Sequence, residues 1–301
     1  MEVSNPDRVV FPADGFTKGE VASYYESAAA SMLPFISGRA LTVERYPRGI
    51  GEKGFMQKNA PEHLSEDLIG RHEVEKEGGG VTVYPVVHLE EAIVAFANLG
   101  VITFHVPPAT VHSPYESDWL IWDLDPPPGE FELARAAASS LREVLSEFGI
   151  DTVLMTSGSN GYHLRARLEP MLSFGQAAAV TRGTAALAAR THPDLMTLAF
   201  RKRERGDRVF VDWLRNAPYS TSVAPWSLRA RAGAPVAVPI AWDELESFAP
   251  NAVGLREAAG RFEIDPWADH EGADLLAISD RVDGALSDAG IELEAFDRFR
   301  S

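Results

Sequence analysis

Three aspartates and one glycine-rich loop are the parts of this chain best suited to chemistry. In WLIWDLDPPPGE, residues 119 to 130, Asp123 and Asp125 stand two apart at the end of an apolar run that three prolines then stop. Side chains alternate faces along a β-strand, so the two carboxylates share a face while Leu124 points the other way. Such a pair can hold a divalent cation through oxygen ligands and leave other ligand positions to an external phosphate. The prolines cannot continue a central ladder, so the strand ends there with its mouth open. Asp-Leu-Asp-Pro is equally a polar strand end entering a turn, and for this pair alone the two readings stand even. Asp212, in RVFVDWLRN, is a third strand carboxylate and the only charge between Arg208 and Arg215. Taken singly it reads as a solvent-facing residue or a partner of Arg208, but three strand carboxylates together favour a cation site.

The loop is TSGSNGYH, residues 156 to 163. Small residues and two glycines between strands let backbone N–H groups approach an anion closely, and Ser157 and His163 add side-chain donors. A plain serine-glycine hairpin has the same composition.

The elements that must position these residues can be read from periodicity. Thr17 and Glu20 fit a capping box, and Val21, Tyr24, Tyr25, Ala28 and Met32 follow at helical spacing, which predicts a helix over about 18–33. Residues 90–99 predict a second helix ended by Gly100, with VITFHV as a strand after it. WLIWDLD is a strand, residues 133–148 are a helix ended by Gly149, and TVLMT and YHLRARL are strands flanking the loop. An alanine-rich helix over 173–190, the strand RVFVDW and an extended PVAVPI complete the pattern. Strands and helices mix without strict βα alternation, so the expected class is α+β rather than a doubly wound parallel sheet. No repeat and no long linker is visible, and EGGG near residue 77 and PPP at 126 are the only biased runs.

The formal charge of −16 argues at first against a nucleic-acid partner. Its distribution weakens that objection: residues 241–301 hold 15 acidic against 5 basic side chains, whereas RKRERGDR at 201–208 holds five basic residues in eight. With no cysteine there is no disulfide framework and no thiolate metal site. The longest apolar stretch, around 93–104, falls short of the roughly 18 residues of a membrane span. The expectation is a cytoplasmic protein with no membrane partner.

Read in order, Asp-x-Asp, Ser-Gly-x-x-Gly-x-His and a strand Asp resemble the catalytic motifs of archaeo-eukaryotic-type primases. The similarity is closest to the polymerase domain of bacterial ligase D, which serves non-homologous end joining. It extends to NPDRVVFP with TK at 17 and 18, YY at 24 and 25, ISGR at 36–39, FMQKNAP at 55–61, FHVP at 104–107 and SVAPWSLRARAGAPVAVPIAWDEL at 222–245. It covers nearly the whole chain to about residue 250.

The resemblance implies a template-directed nucleotidyl transferase, a DNA-dependent DNA or RNA polymerase or primase acting at DNA ends or gaps. Its fold would be a primase-type core with an antiparallel or mixed sheet flanked by helices, plus an N-terminal α/β module. Residues 1–250 would form the catalytic domain and 251–301 an acidic, mainly helical extension. Asp123, Asp125 and Asp212 would hold two divalent ions, Mn2+ or Mg2+. His105, Ser157, Asn160, His163, Arg205 and Arg229 match positions that hold the incoming nucleotide, and Asn5, Arg8 and Lys18 match a pocket for a 5′-phosphate on a DNA end. The implied partners are nucleoside triphosphates, DNA with a 5′-phosphate, and Ku and an ATP-dependent DNA ligase, in a nucleoid-associated setting. The chain departs from the family pattern at three places: Asn160 replaces a usual lysine, Glu44 replaces a usual basic residue near the triphosphate, and Arg215 replaces a usual uncharged polar residue. The first two weaken triphosphate binding, and Arg215 is expected to restore one charge.

Two other readings stand beside this one. A DNA-end-binding module with a decayed triphosphate site is favoured by Asn160 and Glu44. A phosphohydrolase of the haloacid dehalogenase type also has a strand ending in Asp-x-Asp, but it needs a small hydroxyl residue two places after the second Asp, where this chain has Pro127.

Overall fold

Thr17 does what its side chain predicts: its hydroxyl accepts from Glu20 N–H and the Glu20 carboxylate accepts from Thr17 N–H, opening helix α1 (Lys18–Ile36). In the computed structural model, which describes residues 2–76, 78–272 and 276–293, the chain folds as two compact units. Both are discontinuous: one gathers 1–107, 221–238 and 251–265, the other 108–220, 239–250 and 266–301.

In the first unit a short hairpin, β1 (Val9–Phe11) and β2 (Phe16–Thr17), precedes α1. Then come β3 (Thr42–Arg45), β4 (Phe55–Gln57), the hairpin β5 (Gly70–Glu75) and β6 (Val81–Val86), helix α2 (Glu90–Asn98) and β7 (Val101–Val106). α1 runs one turn past its expected end, through Pro34 to Ile36. Gly100 leaves α2 at φ +82°, a conformation open to glycine, and turns the chain directly into β7. The four-stranded sheet has β3 and β7 at its centre, β4 on one edge and Ser222–Val223 on the other. Phe96, Phe104 and Tyr25 pack edge to face in its core, and Tyr25 donates to Ile102 O and accepts from Leu228 N–H.

The second unit is built on β8 (Glu116–Asp125), α3 (Phe131–Glu147), β9 (Val153–Thr156), β10 (Tyr162–Ser173), α4 (Phe174–Thr191), β11 (Met196–Thr197), the short α5 (Lys202–Arg205) and β12 (Val209–Asp212). Ser222–Val223 is then β13, and Pro239–Ile240, the only part of PVAVPI in a named strand, is β14. The six strands lie in the order β11-β12-β8-β10-β9-β14, antiparallel except for β11 with β12. This is the mixed α+β class expected from the sequence. Because β8 is central, Leu120, Ile121, Trp122 and Leu124 are fully buried, which explains why the segment is apolar without strict alternation.

α3 and α4 cover one face of this sheet. The alanine-rich α4 lets the sheet approach closely, so that Trp122 Nε1 donates to Thr181 O and Thr184 Oγ1. Trp122 and Leu124 therefore point to the helices, and Asp123 and Asp125 point to the opposite face. The acidic stretch after 250 is divided: 251–265 belongs to the first unit, and α6 (Leu276–Asp288) packs on α4, with Val282 against Gly183. The rest of the acidic extension, 273–275 and 294–301, lies outside the described residues, as does Glu77 of the EGGG run.

Candidate active site

Strand register brings the carboxylates together. Asp123 lies opposite Asp212 on β12 and opposite His163 on β10, and Asp125 lies opposite Phe210. Directly opposed residues point to the same face, so Asp123, Asp125, Asp212 and His163 converge at one end of the sheet. Asp123, Asp212 and His163 are buried, and the Asp125 side chain is about half exposed at 48%.

Arg215 is the centre of this cluster. It sits on a 3-10 turn, Leu214–Asn216, that follows β12 at once. Its Nε lies 3.0 Å from Asp123 Oδ2 and one terminal nitrogen lies 3.0 Å from Asp212 Oδ2. The other Asp123 oxygen is 3.3 Å from His163 Nε2, and the other Asp212 oxygen accepts from Leu214 N–H at 3.0 Å. The guanidinium expected to supply a charge for the triphosphate thus bridges two carboxylates in this structure. The turn that carries it is fixed by Asn216, which is fully buried, donates to Ile121 O and Trp213 O, and accepts from Ile121 N–H.

The electrostatics follow from these contacts. Burial opposes the charge on Asp123, but His163 and Arg215 outweigh it and hold the carboxyl well below the usual range. Asp125 is pushed up to about 7, by burial first and then by the charges of Asp123 and Asp212. Asp212 is also raised, by burial against the pull of Arg215. Arg215 is raised because the three carboxylates outweigh its own burial. Arg215 and Arg205 oppose the rise at Asp125 without cancelling it. Three carboxylates are the hard oxygen donors that Mg2+ and Mn2+ take, so in donor chemistry the residues fit such an ion. Among the described residues, however, no three acidic or histidine side chains already form a ligand set.

The loop between β9 and β10 closes against this strand end. Ser157 Oγ accepts from Ser159 N–H and Gly161 N–H, and Ser157 N–H donates to Gly161 O. A Cβ on Gly161 would stand 1.7 Å from Leu124 O, so only glycine lets the loop lie across β8. Asn160 is half-buried on the loop. Arg205 is held by Ala199 O and Phe200 O and by the Phe210 ring, and its other terminal nitrogen is 3.9 Å from Asp125.

The remaining candidates belong to the first unit. His105 on β7 lies opposite Thr42 and Val223, and Glu44 lies opposite Thr103, so His105 and Glu44 share one face of the four-stranded sheet. Glu44 accepts from the Tyr46 hydroxyl at 2.6 Å, and Tyr46 is pushed up to about 12 by burial and by this carboxylate, with Arg229 pulling the other way. Arg229 N–H donates to Pro235 O. Lys18 is buried, and its ammonium donates to Ser4 O, Ser4 Oγ and Asn98 Oδ1. Its pKa is lowered by burial and by Arg8. Arg8 reaches Pro47 O, and Asn5 has φ +50° in the turn before it. Sequence reasoning missed Asn216 and the Glu44–Tyr46 bond. The first had a signal, an amide just after a strand Asp and its turn, and the second had only the i, i+2 spacing of one strand face.

The comparisons with known proteins agree with this architecture. Residues 17–267 match the family model described as LigD, primase-polymerase domain. The multifunctional non-homologous end joining protein LigD of Mycolicibacterium smegmatis is 33% identical over 252 residues, 81% of this chain and 32% of that protein. The LigD DNA repair protein of Mycobacterium tuberculosis H37Rv is 32% identical over 278 residues, 88% of this chain and 36% of its own length. The chain thus spans about a third of these relatives. The solved polymerase domain from Mycobacterium tuberculosis ligase D, in complex with DNA, superposes with a TM-score of 0.81 at 29% identity, covering 94% of this chain and 98% of that one.

Proposed function

Because the chain belongs to the LigD primase-polymerase domain family, we propose that it is a template-directed nucleotidyl transferase that extends DNA ends or fills gaps in non-homologous end joining. The observation that carries this reading is the convergence of Asp123, Asp125 and Asp212 at one sheet end through strand register. These carboxylates would hold Mn2+ or Mg2+. When bound, such ions lower the pKa of an attacking hydroxyl and neutralise a triphosphate and its leaving group. The chain's own residues do the positioning on which phosphoryl transfer depends. His163 holds Asp123 in place, and the Ser157–Gly161 loop, closed by its own hydrogen bonds, brings Ser157 and small residues to the strand end where a phosphate would lie. Arg205 adds positive charge beside Asp125.

His105 and Arg229 are proposed to hold the incoming nucleotide, and Asn5, Arg8 and Lys18 a DNA 5′-phosphate. Burial first, and then the charge of Arg8, lower the Lys18 pKa, and two cations this close are the charge a 5′-phosphate would neutralise. Nucleoside triphosphates and 5′-phosphorylated DNA are the proposed substrates, with Ku and an ATP-dependent ligase as partners. No helix among the described residues is long and apolar enough to cross a membrane.

The phosphohydrolase reading loses its basis, since β8 is flanked by antiparallel strands on both sides. A DNA-end-binding role without catalysis draws on the Arg215 bridge and on Glu44. The deciding assay is incorporation of labelled ribo- and deoxyribonucleotides, with Mn2+, on a gapped duplex bearing a recessed 5′-phosphate, beside Asp125→Ala. Extension that vanishes in the variant establishes the polymerase. Binding that depends on the 5′-phosphate without extension establishes the end-binding role instead.

A further inference from the structure

We propose that Arg215 is the resident counter-ion of the carboxylate site, seated where a divalent cation would bind between Asp123 and Asp212, and that it transfers to the incoming triphosphate when the cation enters. This rests on the metal reading of the three aspartates and adds a competitor to it.

The argument begins with oxygen occupancy. All four carboxylate oxygens of Asp123 and Asp212 are engaged by the chain's own donors: His163, Leu214 N–H, and Arg215 twice. Two of the four belong to Arg215, one on each aspartate, so a cation that joins these aspartates competes with one guanidinium for both. Asp125 is not held in this way among the described residues; Arg205 stands 3.9 Å from it.

The arm is built to move while its base stays. Asn216 fastens the turn to β8 with two buried hydrogen bonds to Ile121 and closes the turn itself with a third to Trp213 O. The Arg215 side chain is 34% exposed, so one side of it faces solvent. Withdrawing a guanidinium from two carboxylates is costly unless an anion receives it, and the triphosphate is the anion that arrives at this site. Arg215 should therefore disfavour a cation bound without nucleotide and favour the pair together.

The test is Mn2+ binding followed by electron paramagnetic resonance, with no nucleotide present, for the wild type, Arg215→Gln, Arg215→Lys and Asp125→Ala. Arg215→Gln is expected to bind Mn2+ about tenfold tighter than the wild type. Arg215→Lys keeps the charge but loses the planar fork that reaches both carboxylates, and should fall between them. Triphosphate affinity, measured separately by displacement of a fluorescent nucleotide, should move the other way in Arg215→Gln, about tenfold weaker. Circular dichroism shows whether each variant is folded, and Arg215→Lys decides the matter if Arg215→Gln is not. Equal Mn2+ affinity in the wild type and both Arg215 variants, with Asp125→Ala weaker, overturns the counter-ion role and leaves the metal site standing. Mn2+ binding that Asp125→Ala does not alter overturns the metal site and this proposal with it.

Discussion

Asp212 stands directly across the β8–β12 ladder from Asp123, and one arginine three residues further on ties the two carboxylates together. Asp123→Ala and Asp212→Ala are each expected to lower nucleotide incorporation by about 1,000-fold or more, the scale of losing charge stabilisation worth several kcal/mol. The double variant should be little worse than either alone, because the residues act as a unit. Single-turnover extension on a gapped duplex measures both effects, and additive losses would separate the two aspartates functionally.

Asp125 predicts a pH dependence of stability. Its folded pKa, about 7, lies above its ordinary value of 3.8, so between those values the folded state holds the proton more tightly than the unfolded chain. Its contribution is therefore favourable in acid and is lost as pH rises toward 7. Asp125→Asn removes that loss. Without added metal, its melting temperature should match the wild type near pH 4 and exceed it increasingly up to pH 7, then by a constant margin. Differential scanning fluorimetry across that range would refute the assignment if the two curves stay parallel.

Gly161 is required by contact with a carbonyl. Gly161→Ala would drive a methyl group into Leu124 O, where a Cβ stands at 1.7 Å, and the loop must lift from β8. A loss of about 3 kcal/mol is expected from such overpacking, together with weaker triphosphate binding. Gly175, whose Cβ would meet nothing within 4 Å, gives the contrasting substitution to alanine, expected to leave chemical denaturation unchanged.

Three hydrogen bonds and complete burial make Asn216 the anchor of the Arg215 turn. Asn216→Ala leaves the polar backbone of Ile121 unsatisfied and should cost about 2–4 kcal/mol in urea unfolding. A midpoint equal to that of the wild type would show that water or a shifted turn replaces the amide.

Arg8 and Lys18 are expected to separate binding from stability. Arg8 is exposed with one hydrogen bond to Pro47 O, whereas buried Lys18 closes three hydrogen bonds within its unit. Arg8→Ala should weaken the preference for 5′-phosphorylated over 5′-hydroxyl DNA with an unchanged melting temperature. Lys18→Ala should lower both. A melting temperature that falls equally in the two variants would contradict this division.

Local signals made the helices and several strands legible. The Thr17–Glu20 box, the spacing of α3, and the glycines after α2 and α3 are short-range patterns, and each names its own structure. The hairpin of β5 and β6 is hard to read because its glycine run resembles a biased segment, and only Pro239–Ile240 of PVAVPI is strand, with Pro235 and Val236 in isolated bridges. The division into two units left no mark in composition, since the chain joins each unit in several separate stretches and no linker sets them apart.

The site divides in the same way. That Asp123 and Asp125 share a strand face is legible from their spacing, because alternation is a property of the backbone. A glycine-rich hairpin after them is legible too. That Asp212 and His163 flank Asp123 is not, since strand register depends on non-local pairing. Tertiary structure alone also placed Arg215 between two carboxylates. A charge read along the chain has a sign and a position but no partner, and an arginine's reach spans several competing anions until the fold fixes which lie within about 3 Å of it.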